Sequence, residues 1–317
     1  MPSVAQLVAH TVTHKRFHSL ADITDTDLRG LFEDSDYVAD ASIRTPVLLA
    51  LRMQKPLLVE GEPGTGKTEL AKTLTNGLHT DLIRLQCYEG LTAEQALYEW
   101  NYTKQLLALQ TDSPSVEDSV FTEEYLLKRP LVQALLNGGD RPPVLLIDEV
   151  DRADEEFEAL LLEFLAEFQV SIPEYGTVTA DEPPVVVISS NRTRALSDAL
   201  KRRCLYLHLT PPSFQKEKTI VERKVPELDD AVTEQLCSIT QQLREQPLRK
   251  QPGIAETLDW ARAVDTLSLD ETLLSVDDVE RTLGCLLKES EDIERMDETL
   301  LRTLVKSTEG DTDARNG

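Results

Sequence analysis

The sequence contains few cysteines, no long hydrophobic run and a shortage of basic residues. Its four cysteines, Cys87, Cys204, Cys237 and Cys285, lie far apart and form no C-x-x-C pair. We therefore expect reduced thiols rather than disulfides or a cysteine metal site. No apolar run approaches the ~18 residues that a membrane-spanning helix requires, so we expect no membrane span. Residues 1–20 lack the basic-then-apolar order of a secretion signal, which favours a cytoplasmic location.

Acidic residues outnumber basic ones: 57 Asp and Glu face 33 Lys and Arg, for a formal net charge of -24. Non-specific binding to nucleic acid depends on Lys and Arg that neutralise phosphates, so we expect no nucleic-acid partner. The 317 residues, 40% of them hydrophobic, suffice for a large core and two domains.

A glycine-rich turn follows a short apolar run at residues 57–59. The turn, Gly-Glu-Pro-Gly-Thr-Gly-Lys-Thr at 61–68, matches the pattern G-x-x-x-x-G-K-[ST] of a phosphate-binding loop. Glycines let the backbone N–H groups approach an anion, and the helix predicted from Lys67 points its positive end at the same place. Lys67 would contact the β- and γ-phosphates, and the Thr68 hydroxyl would bind Mg²⁺. The alternative is a surface turn before an ordinary helix.

A second group of polar residues follows two buried strands. Val144 to Ile147 are apolar and precede Asp148 and Glu149, which we assign to Mg²⁺ binding and to polarising the attacking water. The alternative is an acidic helix N-terminus. A second apolar strand, 184–191, ends in Asn191, whose amide would orient that water if the two strands are neighbours.

Three further patterns each leave two interpretations open. A short helix, 196–203, ends in cations, of which Arg203 is either an arginine finger for a neighbouring subunit or a simple partner of the helix dipole. Tyr98, Trp100 and Tyr102 form either a contact surface or a packed helix end. The histidines at 10, 14 and 18 would share one helix face, as a metal site or by chance.

Taken together, these motifs resemble those of an AAA+ ATPase. Within that group the chain is similar to the MoxR branch, and in particular to the CoxD-type ATPases found with molybdenum hydroxylases such as CO dehydrogenase. The similarity extends from about Tyr37 to the fourth helix of the C-terminal region. Beyond the phosphate loop it is carried by residues 82–90, 97–102, 145–152, 168–177, 190–194, 198–206 and 254–261.

The resemblance implies an α/β fold: a five-stranded parallel sheet flanked by helices, followed by a small helical lid. We divide the chain into an N-terminal extension (1–30) outside the similarity, a nucleotide-binding core (31–211) bounded at Pro211-Pro212, a helical lid (212–306) and a polar tail (307–317) that we expect to be disordered. Within the core the resemblance implies an insert at about 87–120 and a hairpin at about 169–180. It implies a hexameric ring with ATP and Mg²⁺ at subunit interfaces. The client would be a molybdenum hydroxylase, with a partner that carries a von Willebrand A domain.

Residue by residue, the resemblance makes Lys67, Glu149, Asn191 and Arg203 catalytic, with Arg202 the fallback for the finger. Thr68 and Asp148 would bind Mg²⁺. The nucleotide contacts would be Tyr37, Val38, Gly61, Glu62, Pro63, Gly64, Thr65, Gly66, Lys67, Thr68, Glu69 and Asp148.

One position departs from the pattern of the family. Where the lid usually offers an arginine to the γ-phosphate, this chain has Glu256, and Arg262 lies nearby but out of register. The departure leaves two functions open. One is an ATP-hydrolysing remodeller of a client protein, and the other is a nucleotide-dependent scaffold or switch with little turnover.

Overall fold

The computed structural model describes residues 19–110, 120–137, 139, 141–269 and 273–313, with side chains described as far as residue 306. The strands of this part are β1 (Leu57–Gly61), β2 (Leu82–Gln86), β3 (Tyr98–Trp100), β4 (Leu126–Lys128), β5 (Val144–Asp148), β6 (Gln169–Ile172), β7 (Gly176–Thr179), β8 (Val185–Ser190) and β9 (Leu205–Leu209). Its α-helices are α1 (Asp25–Asp34), α2 (Ala41–Met53), α3 (Lys67–Leu78), α4 (Ala93–Ala96), α5 (Tyr102–Gln110), α6 (Pro130–Leu135), α7 (Glu155–Glu167), α8 (Asp198–Arg203), α9 (Phe214–Lys224), α10 (Asp230–Arg244), α11 (Ile254–Thr266), α12 (Val276–Thr282), α13 (Ser290–Glu294) and α14 (Glu298–Asp313).

The centre of the fold is a parallel sheet of five strands in the order β2-β5-β8-β1-β9. Helices cover both faces of this sheet, and helices follow it towards the C-terminus. The α/β fold class expected from the sequence is therefore confirmed.

The alternation of side chains along the strands explains why these strands are apolar throughout. In β5, Val144 and Leu146 pack with residues of α1, α2 and α3, whereas Leu145 and Ile147 pack with residues of α6 and α7. A strand that is buried on both faces needs apolar residues at every position. The polar residues therefore collect at the carboxyl ends of the strands, where they are free to form a site.

Helix α1 begins within the N-terminal extension expected at residues 1–30 and continues past its end to Asp34. Its N-terminus has a capping box in which Thr24 and Asp27 satisfy each other's backbone N–H groups. It packs on α3 so closely that a Cβ added at Gly77 would lie 1.9 Å from Leu31 Cγ. The domain boundary expected at residue 31 thus falls inside a helix whose buried face belongs to the core.

The helical lid has a core of its own around the fully buried Trp260, whose indole N–H donates to Thr282 Oγ1. A buried ion pair joins two lid helices, with Arg244 Nη2 2.7 Å from Glu217 Oε1. Near the end of the lid, α12 gives way to a 3₁₀ turn over Leu283–Cys285, and α13 and α14 follow as separate helices. Helix α14 continues to Asp313, through residues that were expected to be disordered.

The insert expected at about 87–120 contains α4, β3 and α5, and it extends to Lys128 because β3 pairs with β4 in a two-stranded antiparallel sheet. Trp100 lies in β3 rather than at a helix end; it is buried and packs edge-on against Phe121. Tyr102 begins α5 and is exposed, together with Leu106, Leu107 and Leu109. The cluster of aromatics is therefore divided between the core and an exposed apolar helix face. Farther along the chain, β6 and β7 form an antiparallel hairpin.

A search of the helices in the described ranges found none with both the length and the apolar character needed to cross a membrane.

Candidate active site

The loop at 61–68 connects β1 to α3 in the strand–turn–helix order that the motif requires. Glycine is needed at two of its positions for different reasons. A Cβ on Gly61 would lie 2.5 Å from the carbonyl oxygen of Leu209 in β9, so no side chain fits there. Gly66 caps the N-terminus of α3 at a φ of 91°, which L side chains rarely adopt. The loop therefore leads directly into a helix whose first N–H groups face the cleft.

Lys67 is the first residue of α3 and is only 7% exposed. Its Nζ donates to the carbonyl oxygens of Gly61 (2.8 Å) and Glu62 (2.7 Å), so the ammonium is held over the loop. Burial lowers the pKa of Lys67, although the nearby carboxylates of Asp151 and Asp148 act in the opposite direction. The buried cation is thus positioned to meet the negative charge of a phosphate.

Thr68 and Asp148 face each other across the cleft. The Thr68 hydroxyl oxygen lies 3.5 Å from Asp148 Oδ1 and 3.4 Å from Oδ2. A hydroxyl and a carboxylate are hard oxygen donors, the kind that Mg²⁺ takes in phosphate-handling sites alongside oxygens of the substrate. The residues present therefore fit a magnesium ion.

Glu149 follows Asp148 and adopts a left-handed backbone conformation with a φ of 56°. Its backbone N–H donates to Ser189 Oγ at 2.9 Å, which ties it to the neighbouring strand β8. Its carboxylate accepts hydrogen bonds from Asn191 Nδ2 at 3.2 Å and from Gln86 Nε2 at 3.0 Å. An unusual backbone angle held in place by surrounding contacts is typical of a functional position. The expected neighbourhood of Asn191 and Glu149 is present in this geometry.

Asp151 fixes the loop that carries Asn191. Its carboxylate accepts from the backbone N–H of Asn191 at 3.0 Å and of Thr193 at 2.8 Å, and from Thr193 Oγ1 at 2.5 Å. Burial alone would raise the pKa of Asp151, but these hydrogen bonds outweigh it and lower the pKa. Asp151 is therefore a charged anchor for the residue that contacts Glu149.

Besides Asp151, three residues of this site were missed in the sequence: Arg84, Gln86 and Ser189. Gln86 is paired in register with Asp148, and Ser189 Oγ donates to Asp148 Oδ1. Arg84 contacts the same carboxylate through Nη2 at 2.6 Å. The available signal was the alternation in β2, which places Arg84 and Gln86 on one face near the carboxyl end of the strand.

The cleft has a volume of about 790 Å³ and lies between the core and the lid. Tyr37 and Val38 form part of its wall, and burial raises the pKa of the Tyr37 hydroxyl. Of the remaining residues predicted to contact nucleotide, Pro63, Gly64, Thr65 and Glu69 also line the cleft. Glu62 contributes its backbone carbonyl to Lys67.

The lid touches the phosphate loop at the start of α11. Ala255 N–H points to the carbonyl oxygen of Gly64 at 3.4 Å. Glu256 accepts a hydrogen bond from Gly253 N–H at 3.1 Å, so its carboxylate caps α11 beside the loop. Arg262 lines the cleft farther along the helix and pairs with Asp259 at 3.2 Å. In the described residues, the first turn of α11 thus brings a carboxylate, not an arginine, close to the phosphate loop.

Arg203 ends α8 and is exposed. Its guanidinium donates to the carbonyl oxygen of Leu162 in α7, and the residue is not part of the cleft wall of its own chain. The three histidines at 10, 14 and 18 lie outside the described residues.

These groups together suit phosphoryl-group hydrolysis. In this arrangement the loop N–H groups and Lys67 would bind phosphate and Glu149 would polarise a water, while Asn191 donates a hydrogen bond to Glu149. Bound by Thr68 and Asp148, Mg²⁺ would neutralise charge that develops on the phosphates.

Comparison with known proteins agrees with this geometry. Residues 56–204 match the family model of an AAA domain of the dynein-related subfamily. The chain contains an AAA+ domain. The match runs from β1 to the end of α8, which covers four of the five strands of the central sheet, and it includes the phosphate loop, Asp148, Glu149 and Asn191.

Similar whole chains extend beyond the AAA+ domain. The chain is 26% identical over 251 residues to uncharacterized protein SH1500 of Staphylococcus haemolyticus, which covers 77% of this chain and 88% of that protein. It has the same identity and coverage with uncharacterized protein SAB1265c of Staphylococcus aureus. Among solved structures, the RuvB Holliday junction branch migration motor of Thermotoga maritima is 21% identical, with a TM-score of 0.43, covering 87% of this chain and 74% of that one.

Proposed function

We propose that this protein is a Mg²⁺-dependent ATPase. The observation that supports this most is the meeting of three elements in one cleft: the phosphate loop with Lys67, the facing pair of Thr68 and Asp148, and Glu149. A module that only binds nucleotide needs the loop but has no use for Glu149 beside it.

In this proposal the loop N–H groups and Lys67 bind the β- and γ-phosphates of ATP, and Thr68 and Asp148 hold the metal ion. Glu149 polarises a water molecule and accepts its proton as the water attacks the γ-phosphate. Asn191 keeps the Glu149 carboxylate oriented toward that water. Tyr37 and Val38 contact the nucleotide at the outer wall of the cleft.

We also propose that the active unit is a ring, expected to be hexameric, in which Arg203 completes the site of a neighbouring subunit. Its exposure and its position outside its own cleft support this role. An arginine finger stabilises charge in the transition state and is worth roughly 10³-fold or more in turnover.

Doping wild-type protein with an Arg203→Ala variant tests the shared site. If the sites are shared, ATPase activity falls more steeply than the fraction of variant, and the mass in the presence of ATP is that of a large ring. Arg202→Ala, one residue earlier, identifies the finger, and Arg281→Ala in the lid serves as an exposed control. A strictly proportional loss of activity by a monomer would contradict the shared site.

We propose a protein as the client of this ATPase. The exposed apolar face of α5, formed by Tyr102, Leu106 and Leu109, supports a protein contact because such patches are typical of interaction surfaces. The resemblance to MoxR and CoxD-type ATPases suggests a molybdenum hydroxylase whose metal centre must be completed, with a partner that carries a von Willebrand A domain. A cytoplasmic location stays a prediction.

A Glu149→Gln variant tests whether ATP hydrolysis drives maturation of the client. It should still bind ATP and should fail to mature the client hydroxylase in cells, while the exposed Glu298→Gln variant matures it normally. Normal maturation by Glu149→Gln would contradict a hydrolysis-driven remodeller.

A nucleotide-dependent scaffold or switch is the second candidate, and the position of Glu256 favours it. A carboxylate beside the phosphate loop repels phosphate, where a lid arginine would attract it. Under this alternative, ATP assembles the complex and turnover is incidental. ATP-driven assembly that is equally complete with Glu149→Gln and with wild type, together with normal maturation, would favour the switch.

A further inference from the structure

A continuous series of hydrogen bonds joins the metal-site carboxylate to the candidate catalytic carboxylate through two side chains of β2. Arg84 donates to Asp148 Oδ2 from both Nε (3.1 Å) and Nη2 (2.6 Å). The same Nη2 donates to Gln86 Oε1 at 2.5 Å. Gln86 in turn donates from Nε2 to Glu149 Oε2 at 3.0 Å. The two acids that handle metal and water are thus connected without passing through the phosphate loop.

The sheet register explains how this series arises. Gln86 is paired with Asp148, and Arg84 lies two residues earlier on the same face of β2. The Asp148 side chain is only 5% exposed, whereas that of Arg84 is 51% exposed and forms part of the cleft wall. Arg84 therefore reaches a buried carboxylate from a position that lets its guanidinium leave into the cleft.

Both oxygens of Asp148 already have partners. Oδ1 accepts from Ser189 Oγ, and Oδ2 accepts from the Arg84 guanidinium. A cation bound to a carboxylate opposes the arrival of a second cation at the same group. Binding of Mg²⁺ by Asp148 and Thr68 therefore requires Arg84 to weaken or give up its contact with Asp148.

Departure of Arg84 would also change the partner of Glu149. Gln86 is oriented by the Arg84 donor at its Oε1, which directs its Nε2 to Glu149. Without that donor the amide of Gln86 is free to rotate, and Glu149 loses one of the contacts that hold it. Asn191 still donates to Glu149 Oε1, and Arg152 Nη1 still lies 3.2 Å from the Oε2 that Gln86 contacts, so the Gln86 bond is one restraint beside these two.

We propose that Arg84 is a positioning residue that competes with Mg²⁺ for Asp148 and, through Gln86, restrains Glu149 until the metal is bound. This inference rests on the proposed ATPase function and deepens it: hydrolysis is coupled to occupancy of the metal site by the chain itself. When nucleotide is bound without metal, the contact with Gln86 would keep the Glu149 carboxylate from taking the position needed to polarise water.

The first test measures metal affinity without hydrolysis. A fluorescent ADP analogue is titrated into the full chain at a series of Mg²⁺ concentrations, which gives the concentration that half-saturates the metal effect. Arg84→Met, which keeps an apolar stem and removes the charge, should lower this concentration by roughly fivefold, as expected for loss of a partly exposed ion pair. Arg84→Lys keeps the charge and should shift it less.

Arg249→Met is the matched control, because Arg249 forms an exposed ion pair with Glu291 at the same 2.6 Å distance but in the lid. It should leave the half-saturating Mg²⁺ concentration unchanged. An Arg84→Met value within twofold of wild type would overturn the competition, and so would a higher one.

The second test concerns the connection to Glu149. At limiting Mg²⁺, the effects of Arg84→Met and Gln86→Ala on ATP turnover should be non-additive, because both changes interrupt the same series of bonds. Additive effects would overturn the restraint. A shifted metal affinity with no turnover in wild type would refute the ATPase but keep the competition. Turnover in wild type with an unshifted metal affinity would refute only the competition.

Discussion

Replacement of Asp151 by alanine offers a sharp test of how the site is held together. The 3% exposed Asp151 accepts three hydrogen bonds from the loop that carries Asn191. Thr193 is exposed, so water can replace its bonds, but the Asn191 N–H is partly buried and loses a charged acceptor. An unsatisfied buried group costs about 1–3 kcal/mol, so we expect the free energy of unfolding to fall by about 2 kcal/mol.

The effect on turnover should be larger than the effect on stability suggests. Without its anchor, the Asn191 amide moves relative to Glu149, which it now contacts at 3.2 Å. A displacement of about 1 Å at a catalytic group can cost roughly 10²-fold in rate, and we expect a loss of that order in ATP turnover. The affinity for ATP should change less than turnover, because the contacts of the phosphate loop are kept and Lys67 loses only the electrostatic influence of a nearby carboxylate.

Steady-state ATPase, nucleotide binding and urea unfolding measure these three quantities separately. Asp151→Asn keeps an acceptor for the Asn191 N–H and should be intermediate. Asp181→Ala, in the exposed loop before β8, should match wild type. The reasoning would be refuted by an Asp151→Ala variant with normal turnover, or by one that loses turnover only because it no longer binds ATP.

Three further changes test the packing of the fold. Glu217→Ala leaves Arg244, which is 8% exposed, without its buried partner. The free energy of unfolding in urea should therefore fall by about 3–5 kcal/mol. A fall of less than about 1 kcal/mol would contradict this. Gly77→Ala should destabilise despite the better helix propensity of alanine, because its Cβ would meet Leu31 at 1.9 Å; a higher melting temperature would contradict the packing of α1. Burial alone would raise the pKa of the Asp40 carboxyl. Hydrogen bonds from Lys216 of the lid and from Ser42 outweigh burial and lower that pKa from 3.8 to about 2. The Asp40 carboxylate therefore stabilises the fold above pH 3.8, and this stabilisation is lost as the pH falls toward 2. The melting temperatures of wild type and Asp40→Asn should converge over that range. A constant difference would refute the lowered pKa of Asp40.

The phosphate loop and the strands could be predicted because their signals are local. The order of glycines, Lys67 and Thr68 is readable in eight residues, and an apolar run that ends in Asp148 and Glu149 identifies a buried strand and its carboxyl end. Neighbouring strand ends then bring polar residues together, which is why the meeting of Asn191 with Glu149 could be expected.

The restraints on these residues could not be predicted in the same way. Arg84 and Gln86 act on Asp148 and Glu149 only because β2 is paired with β5, some 60 residues later in the chain, in one specific register. A shift of a single residue would turn both side chains to the other face. Helix α1 was missed although Thr24 and Asp27, three residues apart, form a capping box that can be read in the sequence. The many polar residues around them obscured the apolar face of the helix.

The most direct test of the central claim is steady-state ATP hydrolysis by the purified full chain with Mg²⁺, compared with its Glu149→Gln variant, while nucleotide binding is followed in parallel. We predict turnover by wild type that depends on Mg²⁺, and a variant that binds ATP with similar affinity but hydrolyses it at least about 10²-fold more slowly. A wild-type chain that binds ATP and Mg²⁺ as an assembled ring but does not turn over would contradict the account, as would equal turnover by the variant.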